Sequence, residues 1–205
     1  MSQITAQLVQ ELRRRTGAGM MACKSVLTGT DGDIDRAVEV LRKQGIAKAE
    51  SRESRTTGEG TIGFYVHHNG KIAAMVELNC ETDFVARTDE FRMLARLLAE
   101  QVAATDPIAV ESTGVPLSVM ADRRGAYERQ VRASGKAEAL VPQIVSGKID
   151  AYLREVVLLQ QSWIREPKRV VADLVADATA QLGERIVVKR FVRFAVGAES
   201  GSRDV

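Results

Sequence analysis

The spacing of apolar positions along this chain changes several times, and each change marks an element. Over the first 45 residues the spacing is helical: Thr5 stands as a cap ahead of Leu8, Val9 and Leu12, and Gly17 sits where a left-handed residue would end the turn. A second helix opens near Gly19 with Met20, Met21, Cys23, Val26 and Leu27. In a third, Asp33 caps a stripe of Ile34, Ala37, Val38 and Leu41, and Gly45 is placed to stop it. Methionine suits irregular core gaps, so at least one of Met20 and Met21 is expected inside. Three helices this short bury a small core, which predicts a recognition module attached to a larger body.

From Ile46 to Gly60 the periodicity lapses into mixed charge and then a loose Thr-Thr-Gly-Glu-Gly run, read as a helix passing into a linker. Acids alternate with bases here, which describes a solvated face rather than a nucleic-acid patch. The period then becomes two. Ile62, Phe64 and Val66 alternate with Gly63, Tyr65 and His67, and beyond Asn69-Gly70 come Ile72, Ala74, Val76 and Leu78. A three-residue loop, His68-Asn69-Gly70 with Gly70 left-handed, would pair Phe64 with Ala74 and Ile62 with Val76 and so collect one apolar face.

The strand pattern stops at Asn79-Cys80-Glu81-Thr82-Asp83-Phe84-Val85-Ala86-Arg87, and helical spacing resumes only after Thr88-Asp89-Glu90. The next stripe is Phe91, Leu94, Ala95, Leu98 and Val102, ended by Asp106-Pro107. Phe84 lies outside it, which leaves two readings open: an anchor for another protein's pocket, or an aromatic that folds back into the core ahead of the helix. Further on, a charged helix is expected over Ser118 to Ala133 and another after Pro142. Pro167 is read as the first turn of a helix with Val171, Leu174, Val175, Ala178 and Leu182, closed by Gly183. Ile186 to Val196 reads as a third strand and Gly197 to Val205 as a disordered tail. Helices, hairpin, helices, strand is the layout of an α+β protein, with a small, about three-stranded antiparallel sheet packed with helices.

Composition narrows the function. With 205 residues, 45% of them hydrophobic, the chain can build a real core, and 29 basic against 27 acidic side chains is too even for phosphate backbone to be the main partner. No apolar run is long enough to span a membrane and Met1 to Thr5 lacks signal-peptide layout, so a cytosolic protein without membrane association is expected. Cys23 and Cys80 have no C-x-x-C spacing and read as buried free thiols. A Cys80 nucleophile served by His67 or His68 is excluded, because the strand between them spans on the order of 30 Å. The same distance excludes a metal site, and no phosphate-loop motif occurs, so no cofactor and no enzymatic activity are expected. If the last strand lies at a sheet edge it offers its backbone to a copy of itself, which allows a homodimer.

Three ordered motifs then carry a resemblance. Leu12-Arg13 with Arg15-Thr16-Gly17-Ala18-Gly19-Met20-Met21, Asp35-Arg36-Ala37-Val38-Glu39-Val40-Leu41-Arg42, and Glu77 through Arg87 together resemble translation elongation factor Ts. Glu155-Val156-Val157-Leu158-Leu159 and the final strand extend the likeness over nearly the whole chain, in the short form without a coiled-coil insertion. The sequence departs from that family at Ala22, where an acid is common. The resemblance implies an N-terminal ubiquitin-associated-like three-helix module with its linker helix over 1–55, a dimerisation-type α+β core over 56–197 and a tail over 198–205. It implies guanine-nucleotide exchange on elongation factor Tu, with Thr82, Asp83, Phe84 and Val85 dislodging the partner's magnesium. Arg13, Gly19, Met20, Met21, Asn79, Cys80 and Glu81 would complete the contact with elongation factor Tu. A helical adaptor without exchange activity is the alternative.

Overall fold

The computed structural model of the chain describes residues 4–16, 18–50 and 54–198. Gly17, expected to end the first helix, and residues 199–205 of the expected tail lie outside the described residues. Helix α1 (Ala6–Thr16) starts where Thr5 Oγ1 accepts the Leu8 N–H at 3.3 Å. Helix α2 (Met20–Gly29) follows, and helix α3 (Ile34–Glu50) starts where the Asp33 carboxylate accepts the Arg36 N–H at 3.0 Å. Each cap satisfies an otherwise orphaned amide through a local bond, which is why these starts are legible in sequence. The end of α3 is not where Gly45 predicts: the helix runs through it to Glu50. One interior glycine costs only about 1 kcal/mol against alanine, and Ala47, Lys48, Ala49 and Glu50 beyond it all favour helix.

The chain forms two compact units. The first comprises Met1–Thr61, Leu78–Leu94 and Asp173–Val187. Its helical core is Val9, Leu12, Cys23, Val26, Leu27, Ala37 and Leu41. Burying each of the larger side chains contributes roughly 1.5–3 kcal/mol. Neither methionine joins this core: Met20 is 55% and Met21 76% exposed, while Ala18 and Ala22 pack against it instead. The core expectation for Met20 and Met21 therefore fails, because small side chains already fill their side of the bundle. An ion pair joins Arg42 of α3 to Asp173 within the same unit.

Strands β1 (Glu59–Val66) and β2 (Ile72–Cys80) come next, followed by the single helical turn α4 (Asp83–Ala86) and helix α5 (Asp89–Thr105). Helices α6 (Leu117–Ala133) and α7 (Val141–Val156), strands β3 (Ser162–Trp163) and β4 (Glu166–Val170), helix α8 (Val171–Leu182) and strand β5 (Val187–Ala195) complete the order. The main sheet is antiparallel in the order β1-β2-β5, so β5 is an edge, the condition under which its backbone is open to a copy. No helix among the described residues is long and apolar enough to cross a membrane.

The second unit comprises Ile62–Glu77, Ala95–Ala172 and Val188–Val205. Within it α6 and α7 pack through Val131, Val141, Val145 and Ile149, with Met120 and Tyr127 against them. Pro167 does not open a helix: it lies in β4, which pairs with β3 through Ser162 opposite Val170 and Trp163 opposite Glu166. Proline is tolerated there because a two-stranded ribbon leaves one edge of β4 unpaired. The buried Gln101 ties this ribbon to α5. Its amide donates to the Ser162 carbonyl at 3.2 Å, and its side-chain oxygen accepts the Ile164 N–H at 3.0 Å.

The hairpin register also differs from expectation. The closing bond runs from His67 N–H to the Ile72 carbonyl at 2.8 Å, which makes the loop four residues, His68 to Lys71, with Gly70 at φ +68°. Continued along the ladder, that bond sets Phe64 opposite Met75 rather than Ala74. Ile62, Phe64 and Val66 accordingly face outward and Gly63 inward. The physical reason is helix α5: a Cβ on Gly63 would overlap the Ala95 carbonyl, so only a glycine lets β1 lie against the helix. Gly63→Ala is expected to lose about 1–3 kcal/mol through this overlap. Gly58→Ala, with open space around it, should change little. Chemical denaturation of the two variants checks the contrast, and equal midpoints would contradict it.

Candidate partner-binding site

Phe84 stands on α4, between the end of β2 and the start of α5. Ala86, two positions on, is buried, and residues two apart point to opposite sides of a helix. Anchoring Ala86 therefore turns Phe84 outward, where it is 80% exposed. Thr82 is exposed, and Asp83 and Val85 are half-buried. The turn is closed by Ala86 N–H to the Thr82 carbonyl and Arg87 N–H to the Asp83 carbonyl, both 3.2 Å. Asp83 pairs with Arg87 at 2.8 Å across one helical turn. Thr88 caps α5, its hydroxyl donating to the Val85 carbonyl at 2.8 Å and accepting the Phe91 N–H at 3.3 Å. The stripe beginning at Phe91 is buried as its spacing predicts, and Phe84 is outside it.

The residues just before Phe84 support the turn. Cys80 is fully buried, and its thiol donates to the Thr82 carbonyl at 3.1 Å. Burial pushes the Cys80 thiol up to about 11, and the nearby Glu184 carboxylate adds to the shift, so it is an inert thiol near neutral pH. Asn79 is half-buried and donates to the Thr57 carbonyl at 3.3 Å. Glu81 accepts the Arg185 N–H at 2.7 Å and is met by the Arg55 guanidinium at 3.1 Å. Glu184 in turn accepts the N–H groups of Glu81 and Thr82. Sequence patterns do not single out Glu184, Arg185 or Arg55. An acid after a helix-ending glycine carries no local signal, and its partners lie far away in the chain.

Arg13, Gly19, Met20 and Met21 form a second group on α1 and α2, in the same compact unit as the turn. All four are exposed. On α1, Arg14 and Arg15 both bind Glu11, at 2.9 and 2.8 Å, and the Arg15 and Arg14 hydrogen bonds hold its carboxyl below the usual carboxylate range. Gly19, with extended backbone, is the residue before α2 and leaves the approach to Met20 open. The histidines sit at the hairpin turn, where the Tyr65 hydroxyl lies 3.1 Å from His67 Nδ1. Among the described residues no group of three or more His, Cys, Asp or Glu side chains is arranged to hold a metal ion. The arrangement offers a rigidly mounted aromatic and two exposed thioethers, which is the chemistry of protein recognition.

Comparison with known proteins agrees with the motifs. The family described as elongation factor Ts matches residues 30–198. An elongation factor Ts of Oleidesulfovibrio alaskensis is 50% identical over 198 residues, 97% of this chain and 100% of that protein. One from Desulfosudis oleivorans is 47% identical over 197 residues, 96% of this chain and all of its own length. A third, from Thermosipho melanesiensis, is 49% identical over 194 residues, covering 95% and 99% of the two chains.

Proposed function

Because this chain belongs to the elongation factor Ts family, we propose that it is a guanine-nucleotide exchange factor that binds elongation factor Tu with GDP and promotes GDP release. The observation that carries the reading is Phe84, 80% exposed on a hydrogen-bonded turn within the motif that resembles the family's magnesium-displacing segment. In this reading Phe84 is a wedge, Val85 packs behind it and Asp83, paired with Arg87, stiffens the turn. Magnesium bridges phosphate oxygens and demands near-ideal octahedral geometry, so displacing its supporting elements weakens the nucleotide's hold. Coupling is reciprocal: a factor that weakens GDP binding is expelled when nucleotide returns, so it speeds exchange without setting its direction.

Residues 1–55 act in this proposal as the recognition module, with Arg13, Gly19, Met20 and Met21 against the partner's GTPase domain, and 56–197 as the core. The exposure of both methionines supports that assignment. Asn79, Cys80 and Glu81 contribute by building the turn. The deciding experiment is release of fluorescent GDP from elongation factor Tu as this chain is titrated in. Accelerated release supports exchange, whereas binding without acceleration supports an adaptor.

The second unit suggests a homodimer in the same reading. The outward face of the sheet carries Ile62, Phe64, Val66, Met75 and Phe194, and both phenylalanines are 66% exposed. The ion pair Glu77–Arg190, at 2.7 Å, neutralises its own charges, so a second copy meets no repulsion there. Apolar patches of this kind on a soluble chain mark interaction sites. Sedimentation at tens of micromolar should give a dimer for the unaltered chain and a monomer for Phe64→Lys; a monomer for both overturns it.

A further inference from the structure

The turn that presents Phe84 is a four-residue helix, too short to hold its own shape, since forming one helical turn fixes several dihedrals for few hydrogen bonds. What fixes it comes from the loop between α8 and β5. The Glu184 carboxylate accepts three bonds: Oε2 from the Glu81 and Thr82 N–H groups at 3.1 and 3.0 Å, and Oε1 from the Thr82 hydroxyl at 2.6 Å. The grip is returned. Glu81 Oε1 accepts the Arg185 N–H at 2.7 Å, the Arg55 guanidinium reaches both Glu81 oxygens at 3.2 and 3.1 Å, and the Arg185 guanidinium donates to the Arg55 carbonyl at 2.6 Å.

Two carboxylates thus exchange backbone N–H groups across the gap between the end of β2 and the α8–β5 loop. Bonds to an ionised acceptor are shorter and roughly twice as strong as neutral ones. One detail indicates where Thr82 is committed. It precedes α4 in the position of a cap, yet its side chain makes no capping bond to α4, and its hydroxyl goes to Glu184 instead. The residue that would ordinarily steady the helix start is itself held from outside.

We propose that Glu184 is a positioning residue for nucleotide exchange: it holds Glu81 and Thr82 so that Phe84 is presented to the partner in one fixed direction, with Glu81 and Arg185 closing the clasp. This rests on the exchange reading, and the gain is preorganisation, since a turn already ordered loses less freedom on binding. Glu184 does not itself touch the partner's nucleotide site.

The two cysteines make the clasp measurable without any partner. Cys80 is buried and bonded to the Thr82 carbonyl, whereas Cys23 is buried in the helical core and serves as the internal reference. Removing the Glu184 charge by itself makes the neighbouring thiol easier to ionise, so the reference variant is Glu184→Gln, which removes the same charge. In Glu184→Ala, iodoacetamide is expected to alkylate Cys80 severalfold faster than in Glu184→Gln, with the Cys23 rate the same in both. An equal rise at both thiols signals general destabilisation and overturns the proposal. Stimulated release of fluorescent GDP from elongation factor Tu is expected to fall about tenfold in Glu184→Ala, the scale of a lost charge-assisted contact. Glu184→Gln, which keeps an acceptor oxygen but not the charge, should fall between. In a Phe84→Ala background the same change should cost nothing further, because the side chain it aims is gone.

Full stimulation by Glu184→Ala, beside a normally active unaltered chain, overturns the positioning role. Failure of the unaltered chain to stimulate release overturns the exchange reading and with it the assignment of Glu184 to exchange. The thiol rates would still report whether the clasp holds the turn.

Discussion

Phe84→Ala is expected to slow stimulated GDP release from elongation factor Tu by on the order of 30-fold, the kinetic equivalent of losing about 2 kcal/mol at an interface hot spot. The same substitution should leave the fold alone. Phe84 is 80% exposed, so truncating it removes little buried area, and thermal stability should stay within about 0.5 kcal/mol of the unaltered chain. The measurement is release of fluorescent GDP at saturating factor, with a melting curve on the same sample. An unchanged release rate would remove Phe84 from the mechanism. A reduced rate accompanied by a large drop in stability would assign the effect to folding instead.

Phe91→Ala should behave in the opposite way. Phe91 is fully buried and heads the largest enclosed side chains, at the first turn of the helix that follows the site. Truncating a buried phenylalanine to alanine typically costs about 3–5 kcal/mol, from lost transfer energy and the cavity left behind. Against a total stability of roughly 5–15 kcal/mol this is a large share. For a chain of this size it corresponds to a fall in melting temperature on the order of 10 °C. Calorimetry or denaturant titration checks it, and a loss below about 1 kcal/mol would mean that the surrounding side chains collapse into the space. Well below its melting temperature the variant should still stimulate GDP release, because Phe84 and its turn are untouched. The two phenylalanines thus separate presentation from support.

Much of this contrast is legible in the amino-acid order alone. The apolar stripe begins at Phe91, and the Thr88 cap that sets its start is a local side-chain-to-backbone bond, 3.3 Å in the structure. The Thr5 and Asp33 caps are readable for the same reason. The failures have separate causes. Gly45 signals a helix end, but a run of strong helix formers beyond it overrides the signal. Pro167 signals a helix start, but an unpaired edge of a short ribbon accepts it equally well. The hairpin register that best collects apolar residues on one face is not the one adopted, because an outward apolar face and a glycine inward is what lets α5 approach.

The chain's own sequence determined the starts of α1, α3 and α5, the three strands of the main sheet, the ending of β2 in a charged turn, and an aromatic left over from every apolar stripe. It also carried motifs sufficient to identify the family. These depend on interactions between residues near one another in the chain, or on patterns repeated along one element. Only the tertiary structure decided that Met20 and Met21 both lie outside the bundle core, that Ile62, Phe64 and Val66 face outward, and that Glu184 holds the turn bearing Phe84. Each of those outcomes is set by a neighbour brought in from elsewhere: small side chains filling the bundle, a helix pressed on a glycine, a carboxylate 102 positions from the amide it accepts. No local pattern encodes such a meeting, because the free energy of the contact belongs to both partners and appears only when the fold brings them together.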